Sequence, residues 1–276
     1  MRTRTRNKWI KYLFMKKNAS LAPYLPETRK MSNQALWSLL EKHRHVMVKP
    51  VWGSRGRGVI QVSDLGNDNY IIHFENMRTM KRGKKNAYRY IKSKIGSSAY
   101  MVQRRITRPT INKRLFDMRV IVQRKRNSSD WVVTGKVIKV AGKGYIVSNN
   151  TRSHGQLLRF KPGIQRSSIR HLPITELETQ IDKVSLLSAD TLRPLFPNHR
   201  IYGLDIATDR QGHVSIIEAN LYPAMSHFLK LKDGVMYRRI LSYKNEPPLL
   251  SNRKMIINKR YVSNHLADSS NPLIFH

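Results

Sequence analysis

The sequence predicts an α+β fold with mixed strands, and three observations lead to this expectation. The chain has 276 residues, 40% of them hydrophobic, which is enough to bury a sizeable core. Segments with the two-residue period of strands and segments with the longer period of helices both occur along it. They do not alternate regularly, as they would in a doubly wound parallel sheet, so an α+β arrangement is favoured.

The N-terminal half begins with a predicted helix within residues 1–30, followed by a loop through Pro23 and Pro26. Ser32 is placed to cap a second helix, whose apolar face runs to about His43. A glycine-rich loop separates the next two strand patterns, and the helix pattern after them stops at a glycine. The remaining predicted elements of this half are strands at 46–48, from about 59 and at 69–74, and a helix at 84–95.

The C-terminal half contains several runs rich in Val, Ile and aromatic residues, the composition of strands. Its clearest amphipathic pattern predicts a helix at 177–195. Two strands at 201–207 and 214–220 are joined by a turn at 209–212. After the Pro-Pro pair at 247–248 the segment is polar and basic, and we expect it to be poorly ordered. The other predicted elements are strands at 100–103, 118–123, 131–140 and 145–147, and a helix at 235–243.

Composition and charge exclude several classes of protein. No stretch approaches the roughly 18–20 apolar residues that span a bilayer, and the basic N-terminus lacks the apolar core of a signal peptide. We therefore expect no transmembrane segment and synthesis in the cytoplasm. The absence of cysteine excludes disulfides, thiolate zinc sites and a cysteine nucleophile. The net charge of +35 favours polyanions as partners, and an effect on solubility or a compositional habit of the source is the alternative.

A glycine-rich loop follows a buried strand pattern that ends in Lys49. Gly53, Ser54, Gly56 and Gly58 come within nine residues of this lysine, in the segment VMVKPVWGSRGRGV. Closely spaced glycines let the backbone approach a ligand, so that successive N–H groups can cradle phosphate oxygens. The segment is neither a Walker A loop nor a G-x-G-x-x-G motif that opens a helix. It predicts a flap over phosphates, with a long hairpin turn as the alternative.

Three residues with side-chain oxygens occur on the late strand pair. Asp205 lies on one strand, while Glu218 and Asn220 lie on the next and face the same side because they are two residues apart. Oxygen ligands from adjacent strands suit hard cations, and Mg²⁺ in particular combines few carboxylates with nucleotide phosphates. The pattern predicts a Mg²⁺ site, and a structural salt bridge to an arginine is the alternative.

Taken in order, the lysine, the glycine flap and the Asp…Glu-x-Asn set resemble the ATP-grasp superfamily. The segments YLPET, VMVKPVWGSRGRGVIQV, YMVQRRI, FDMRVIVQR and GLDIATDRQGHVSIIEAN resemble the YheC/YheD family of endospore coat-associated ATP-grasp proteins. This resemblance covers about residues 6–240 and implies an ATP-grasp fold, in which two α+β lobes grip ATP. We expect most of the N-terminal lobe that precedes the grasp in longer relatives to be absent.

The resemblance also implies a division of the chain. Residues 1–45 would be the N-terminal helical part of the grasp, 46–105 the glycine-flap lobe and 106–245 the C-terminal catalytic lobe with the metal site. Residues 246–276 would be a basic C-terminal tail.

The resemblance implies a role in ATP binding for several residues. Lys49 and the flap would hold the phosphates. The strand YMVQRRI would receive adenine, through Gln103 and the backbone from Arg104 to Ile106. Many relatives carry an acidic residue where this chain has Arg104, so we expect recognition by the backbone there. Lys8 resembles an earlier lysine that contacts ATP, and an exposed surface lysine is the alternative.

Further matches concern the reaction itself. Asp117 and Arg119 correspond to the family's Asp-x-Arg, and Arg119 would face the γ-phosphate or the acyl phosphate. A partner for Asp117 or another acid of the sheet is the alternative role for this arginine. Asn149 and Gly155 match a Ser-Asn…Gly-Gly segment that contributes to the cofactor site, and His154 stands where glycine is more common. The Asp…Glu-x-Asn set corresponds to the family's Mg²⁺ ligands.

The function implied by this resemblance is that of an ATP- and Mg²⁺-dependent carboxylate-amine ligase in endospore formation or the spore coat. A substrate carboxylate would attack the γ-phosphorus, the acyl phosphate would meet an amine, and ADP would leave. The carboxylate and amine substrates are unidentified, and the basic charge favours an acidic polymer. One alternative is a non-catalytic ATP-binding coat protein. Another is a basic nucleic-acid-binding protein, although the sequence carries no helix-turn-helix, zinc-finger or RNP-type motif.

Overall fold

The computed structural model describes residues 7–53, 56–146, 148, 155–231 and 234–245. The described residues up to Lys244 form one unit, and two antiparallel sheets with helices packed on them organise it. The predicted α+β fold is therefore confirmed.

Twelve strands and seven α-helices lie within the described residues. The strands are β1 (Thr28–Lys30), β2 (His45–Pro50), β3 (Ile60–Gly66), β4 (Asn69–Phe74), β5 (Met77–Arg82), β6 (Tyr100–Arg104), β7 (Thr110–Ile111), β8 (Arg114–Gln123), β9 (Val132–Val140), β10 (Gln156–Arg159), β11 (Ile201–Thr208) and β12 (Val214–Asn220). The helices are α1 (Lys8–Lys16), α2 (Asn33–His43), α3 (Lys84–Ile95), α4 (Phe160–Gln165), α5 (Ile174–Leu192), α6 (Ser226–Lys230) and α7 (Gly234–Lys244). Among them no helix has both the length and the apolar character required to cross a bilayer.

The first sheet has the strand order β1-β6-β2-β3-β4-β5. Helices α2 and α3 cover one face of it, with side chains such as Leu36 and Ile91 packed on Val48 and Val62. The ends of α2 follow from local chemistry: the Ser32 hydroxyl accepts a hydrogen bond from the Ala35 N–H at 3.0 Å, which satisfies one of the free N–H groups of the first turn. The opposite face, called the inner face below, carries polar side chains and is turned toward the second sheet.

The second sheet has the order β10-β9-β8-β11-β12, with β7 paired to β8. Helices α1 and α5 pack on one face through a large apolar cluster that includes Tyr12 and Ile181. On the other face, Phe228 of α6 and Ile240 of α7 cover Ile121 and Val137. Charged residues of the site described below also lie on this second face. Arg119, for example, is two residues from Ile121 on β8 and therefore points to the same side.

Some predicted elements differ from the structure. The predicted strand at 145–147 is wrong for its described part, because β9 ends in a turn: Gly144 has φ +81° and the Tyr145 N–H donates to the Gly142 carbonyl at 3.2 Å. Val147 lies outside the described residues. Strand β5 escaped prediction because its alternation is carried by basic residues and methionines. The segment after Pro247 also lies outside the described residues.

Candidate functional site

A small cavity lies between the inner face of the first sheet and β12 of the second. Its volume is about 30 Å³, which accommodates a water molecule and not a nucleotide. A larger groove of about 530 Å³ lies on the outside, between α2 and α3. None of the predicted site residues lines that groove, whereas four of them line the cavity, so the cavity is the candidate site. The polar residues that line it are Lys8, Lys11, Tyr12, Lys49, Gln103 and Glu218.

Three lysines share this cavity with a single carboxylate. Lys8 and Lys11 are buried, and the Lys8 ammonium lies 3.7 Å from Glu218 Oε2. Burial lowers the pKa of Lys11 and of Lys49 to about 8, and the positive charge of Lys8 adds to the effect while Glu218 opposes it. The cavity therefore has more positive charge than its own residues neutralise, a condition that favours anions.

The backbone of β12 is irregular beside the cavity. Asp205 pairs with Glu218 and Ile206 pairs with Ile216, so Ile217 is the extra residue of a β-bulge. The bulge places Ile217 in the lining of the cavity together with Glu218. The Lys11 ammonium donates to the carbonyl of Ala219, which attaches α1 to this irregular strand.

Gln103 connects the cavity to the first sheet. It is 4% exposed, its Oε1 accepts a hydrogen bond from Lys49, and its Nε2 donates to Thr28 Oγ1 at 2.9 Å. The next residue, Arg104, is exposed, and its N–H donates to the Glu27 carbonyl at 2.8 Å. Neither Arg104 nor Ile106 lines the cavity. Of the strand predicted to receive adenine, the structure brings Met101 and Gln103 to the cavity.

The glycine-rich loop joins β2 to β3, directly after Lys49. Gly53, Gly56 and Gly58 have φ angles of +123°, +69° and +71°, a region that glycine enters without steric strain. A Cβ on Gly58 would lie 2.6 Å from the hydroxyl of Tyr100. The loop therefore requires glycine there for conformation and for space. Ser54 lies outside the described residues.

Next to the cavity, Asp205 is the centre of a network of charges. Arg119 binds it in a bidentate manner, with Nε 3.0 Å from Oδ1 and Nη2 3.1 Å from Oδ2. Lys139 donates to Oδ1 at 2.6 Å, and the Asn220 amide donates to Oδ2 at 3.2 Å. Both carboxylate oxygens are thus occupied by protein donors. These contacts agree with the alternative role of Arg119, in which it pairs with an acid of the sheet.

Lys139 also joins Asp205 to a second buried acid. Its ammonium lies 2.9 Å from Asp117 Oδ1, while Asp117 Oδ2 is 2.8 Å from Arg108 Nη1 and accepts from the Ser148 hydroxyl. Cations and carboxylates therefore alternate from Arg108 through Asp117 and Lys139 to Asp205. Such a network orients each group through its neighbours.

The electrostatics of this network follow from its composition. Burial alone would raise the pKa of Asp205, but the charges and hydrogen bonds of Arg119 and Lys139 outweigh it and hold this pKa well below the usual value. Burial lowers the pKa of His227 to about 4, and the same two cations contribute. His227 is therefore neutral at physiological pH, so the positive charge of the site comes from its lysines and arginines.

The predicted Mg²⁺ ligands lie close together. Asp205 and Glu218 are direct neighbours across β11 and β12, and Asn220 contacts Asp205. Together they offer two carboxylates and one amide. The described residues contain no group of three or more acids or histidines that could hold a metal. The set of two carboxylates and one amide fits Mg²⁺, which takes one or two carboxylates and completes its shell with phosphates and water. Glu218 is the more available of the two acids, because its ion pair to Lys8 is long.

Comparison with known proteins places this arrangement in a family. The profile of YheC/D-like ATP-grasp proteins matches residues 1–246. The chain belongs to the YheC/D-like ATP-grasp family. Among curated members it is 23% identical to the endospore coat-associated protein YheC of Bacillus subtilis, over 82% of this chain and 62% of that protein. It is also 23% identical to the endospore coat-associated protein YheD of the same organism, over 86% of this chain and 53% of that protein. The chain thus spans about half to two thirds of their lengths.

Solved structures share the ATP-grasp fold. D-alanyl-alanine synthetase A from Vibrio cholerae superposes with a TM-score of 0.54 at 12% identity, over 86% of this chain and 63% of that one. N5-carboxyaminoimidazole ribonucleotide synthetase, solved as an ADP complex, superposes with a TM-score of 0.55 at 12% identity, over 87% of this chain and 52% of that one. The YheC/D-like family and the ATP-grasp fold predicted from the sequence are both confirmed.

The structure brings some of the predicted residues together and leaves others apart. Lys8, Lys49, Gln103 and Glu218 meet at the cavity, and Arg119, Asp205 and Asn220 meet beside it. Arg104 and Ile106 stay apart, and Asn149 and His154 lie outside the described residues. Three further residues, which were not predicted from the sequence, belong to this arrangement: Lys11, Lys139 and Arg108. Lys11 carried a signal, because it follows Lys8 by three residues on one helix. Lys139 carried none, because it meets Asp117 only through the register of β8 with β9.

Proposed function

We propose that this YheC/D-like ATP-grasp chain is an ATP- and Mg²⁺-dependent carboxylate-amine ligase that works through an acyl phosphate and releases ADP. The proposal depends mainly on one observation: a lysine-rich cavity directly adjoins a set of Asp205, Glu218 and Asn220 that also holds Arg119 and Lys139. Phosphates, the metal and a substrate carboxylate would find complementary charges there within a short distance. The proposal includes the division of the chain into an N-terminal helical part, a glycine-flap lobe, a catalytic lobe and a basic tail, with boundaries at residues 46, 106 and 246.

Nucleotide binding would depend on the buried lysines and the flap. Lys49 would bind phosphate oxygens, the N–H groups of the glycine loop would add neutral donors, and Ile217 would offer an apolar surface to the base. The cavity is much smaller than the roughly 300 Å³ or more of a ligand site. ATP binding would therefore require the two sheets to separate.

Glu218, Asn220 and Asp205 would hold Mg²⁺. When bound, the ion would neutralise phosphate oxygens during transfer. Arg119 and Lys139 are engaged with Asp205, and they would donate to phosphate and acyl-phosphate oxygens when that carboxylate turns to the metal. Their role would be to stabilise the negative charge that develops as the substrate carboxylate attacks phosphorus.

The test is a thermal shift measurement with ATP and Mg²⁺ on the wild type, on Glu218→Gln and on the control Glu41→Gln. Glu41 is exposed on α2 and undergoes the same charge change. ATP at 100 times its Kd stabilises a protein by about 2.7 kcal/mol, or about 5–10 °C for a chain of this size. We expect the wild type and Glu41→Gln to shift alike and Glu218→Gln to lose the Mg²⁺-dependent part. Equal shifts for all three proteins would contradict the assignment.

A second candidate function, ATP binding without catalysis, is favoured by the occupation of both Asp205 oxygens. An assay of ADP release with carboxylic acids and amines distinguishes the ligase from a protein that only binds ATP. Only a ligase releases ADP at a rate that depends on both the acid and the amine. The names of the Bacillus subtilis relatives support a place in the spore coat, which we include in the proposal. A nucleic-acid-binding role would instead give a shift with DNA that disappears as salt rises.

A further inference from the structure

A groove between α2 and α3 lies on the side of the first sheet opposite to the candidate site. Val48 packs beneath these helices, whereas the next residue, Lys49, lines the cavity, because successive residues of a strand point to opposite faces. The volume of the groove is about 530 Å³, within the roughly 300–1,000 Å³ of ligand sites. We call it the outer groove, and its charged and aromatic lining residues are Trp37, Lys84, Lys85, Tyr88, Arg89 and Lys92.

All charged residues that line the outer groove are cations, and all four belong to α3. They are exposed, and within the described part of the chain none of them forms an ion pair. Lys92 donates only to the Gly96 carbonyl, at 3.2 Å, and Lys84 lies over an aromatic ring. Glu41, the only acid on either helix, does not line the groove. The outer groove therefore carries positive charge that its own residues do not neutralise, a condition that favours anions.

The positions of two of these cations are unfavourable for the helix itself. Lys84 and Lys85 occupy the first turn of α3, which contains no acid and no side-chain cap, although the positive end of the helix dipole repels cations. Asp68 lies near this end, since a Cβ on Gly83 would be 3.7 Å from its Oδ2, but it does not line the groove. A local preference that is broken without a compensating contact indicates a role other than stability.

The spacing of the cations along α3 matches an extended acidic chain. Lys85, Arg89 and Lys92 are four and three residues apart and therefore point to one side of the helix. With a rise of 1.5 Å per residue, this row is about 10 Å long. Alternate side chains of an extended peptide point to the same side about 7 Å apart. Two or three carboxylates of such a peptide can therefore contact the row at once.

The aromatic rings of the outer groove favour a polypeptide over a nucleic acid. Single-stranded nucleic acids bind by stacking successive bases on free ring faces. The Lys84 ammonium lies over the Trp37 ring, 5.8 Å from its centroid, and the same ring packs on Tyr70 with 5.1 Å between centroids. Tyr88 thus remains as the single ring of the described lining without such a contact, too few for a series of bases. The two partly buried rings instead provide an apolar floor, which excludes water and strengthens the ion pairs formed above it.

We propose that the outer groove binds an acidic segment of a partner polypeptide in an extended conformation, with its carboxylates on Lys85, Arg89 and Lys92. The inference is independent of the proposed ligase function, because the groove and the cavity lie on opposite sides of the first sheet. A single exposed ion pair contributes little to affinity. Recognition therefore requires several Asp or Glu residues close together in the partner.

The binding of a fluorescently labelled hexaglutamate peptide, measured by anisotropy without nucleotide, tests the proposal. The groove variant carries Lys85→Gln, Arg89→Gln and Lys92→Gln, and we expect it to bind about tenfold more weakly than wild type because three exposed ion pairs are lost. A control variant loses the same charges at exposed positions on other elements and should stay within about twofold. Its substitutions are Lys16→Gln, Lys161→Gln and Arg210→Gln.

Three outcomes would overturn the proposal: no hexaglutamate binding by wild type, equal losses in the groove and control variants, or tighter binding of oligothymidylate than of hexaglutamate through the same three residues at the same salt concentration. The last outcome would assign the outer groove to single-stranded nucleic acid. If the groove variant does not fold, Arg89→Glu alone reverses the charge at the middle of the row. It should weaken hexaglutamate binding about threefold or more, and unchanged binding would contradict the proposal.

Thermal shift measurements separate the outer groove from the candidate site and from a structural role. Without ligand, the groove variant should melt at the temperature of wild type or higher, because it removes cations that repel each other and the helix dipole. It should also keep the full shift that Mg²⁺-ATP gives in wild type. A clear fall in melting temperature, or a loss of the ATP shift that the control variant keeps, would contradict the proposal. If wild type binds hexaglutamate through the groove yet shows no shift with ATP, the ligase proposal fails and the peptide site stands.

Discussion

The lowered pKa of Lys49 leads to a quantitative prediction about nucleotide binding. Its ammonium donates a hydrogen bond to Gln103, and removal from water lowers its pKa from 10.5 to about 8. This difference corresponds to about 3 kcal/mol by which the fold disfavours the charged ammonium. A phosphate bound beside the ammonium would remove much of this penalty and raise the pKa again. The bound state would therefore hold more protons than the free state.

The sign and size of the effect follow directly. At pH 8 about half of the Lys49 side chains are neutral in the free protein, so ATP binding should take up about half a proton at Lys49. Lys11, whose pKa is also about 8, would add up to a similar amount. ATP affinity should be highest below pH 8 and fall as pH rises through 8, because the neutral lysine must first be protonated.

Titration calorimetry at pH 8, in two buffers with different ionisation enthalpies, measures this uptake. The matched variant Lys49→Met keeps the length and apolar part of the side chain, and it should reduce the uptake by about half a proton. Its ATP affinity should fall about tenfold or more, as for the loss of a hydrogen bond to a charged group. Proton release by the wild type, or an uptake that Lys49→Met leaves unchanged, would refute the reasoning.

Two further predictions concern stability. Asp205→Ala leaves Arg119 and Lys139 buried without their shared carboxylate, so the free energy of unfolding measured in urea should fall by about 3–5 kcal/mol. A fall below about 1 kcal/mol would mean that this acid does not hold the network together. Gly58→Ala combines a φ of +71° with a contact of 2.6 Å to the Tyr100 hydroxyl and should cost at least about 1 kcal/mol. Adding Tyr100→Phe should restore part of that loss, and no recovery would show that backbone strain alone is responsible.

The extent of prediction from sequence differs between elements of the fold. Helix α3 and strand β4 have the predicted bounds, since their periodicity and the glycine at the end of the helix are local signals. Strands β1, β5 and β10 were missed, because they are short or basic and owe their conformation to neighbouring strands. The predicted strand at 145–147 failed because a turn at Gly144 outweighed the β-propensity of Tyr145 and Ile146.

The candidate site shows the same division. Lys49, the glycine loop and the spacing of Glu218 and Asn220 could be recognised because each motif is short and continuous in the chain. Lys139 could not be assigned from its own surroundings, since its importance comes from Asp117 on β8 and Asp205 on β11. The contact of Arg119 with Asp205 likewise depends on the pairing of β8 with β11.

The sequence by itself determined the family, the ATP-grasp fold class, the bounds of helix α3 and the position of the glycine-rich loop, since these depend on local spacing and on motifs in a set order. Only the tertiary structure decided which charges meet. The bulge that exposes Ile217 to the cavity depends on the register of β11 with β12, and the bidentate pair at Asp205 depends on the register of β11 with β8, which is distant in the chain. Burial then determines how strongly those charges interact, because removing water makes each charge depend on its nearest partners.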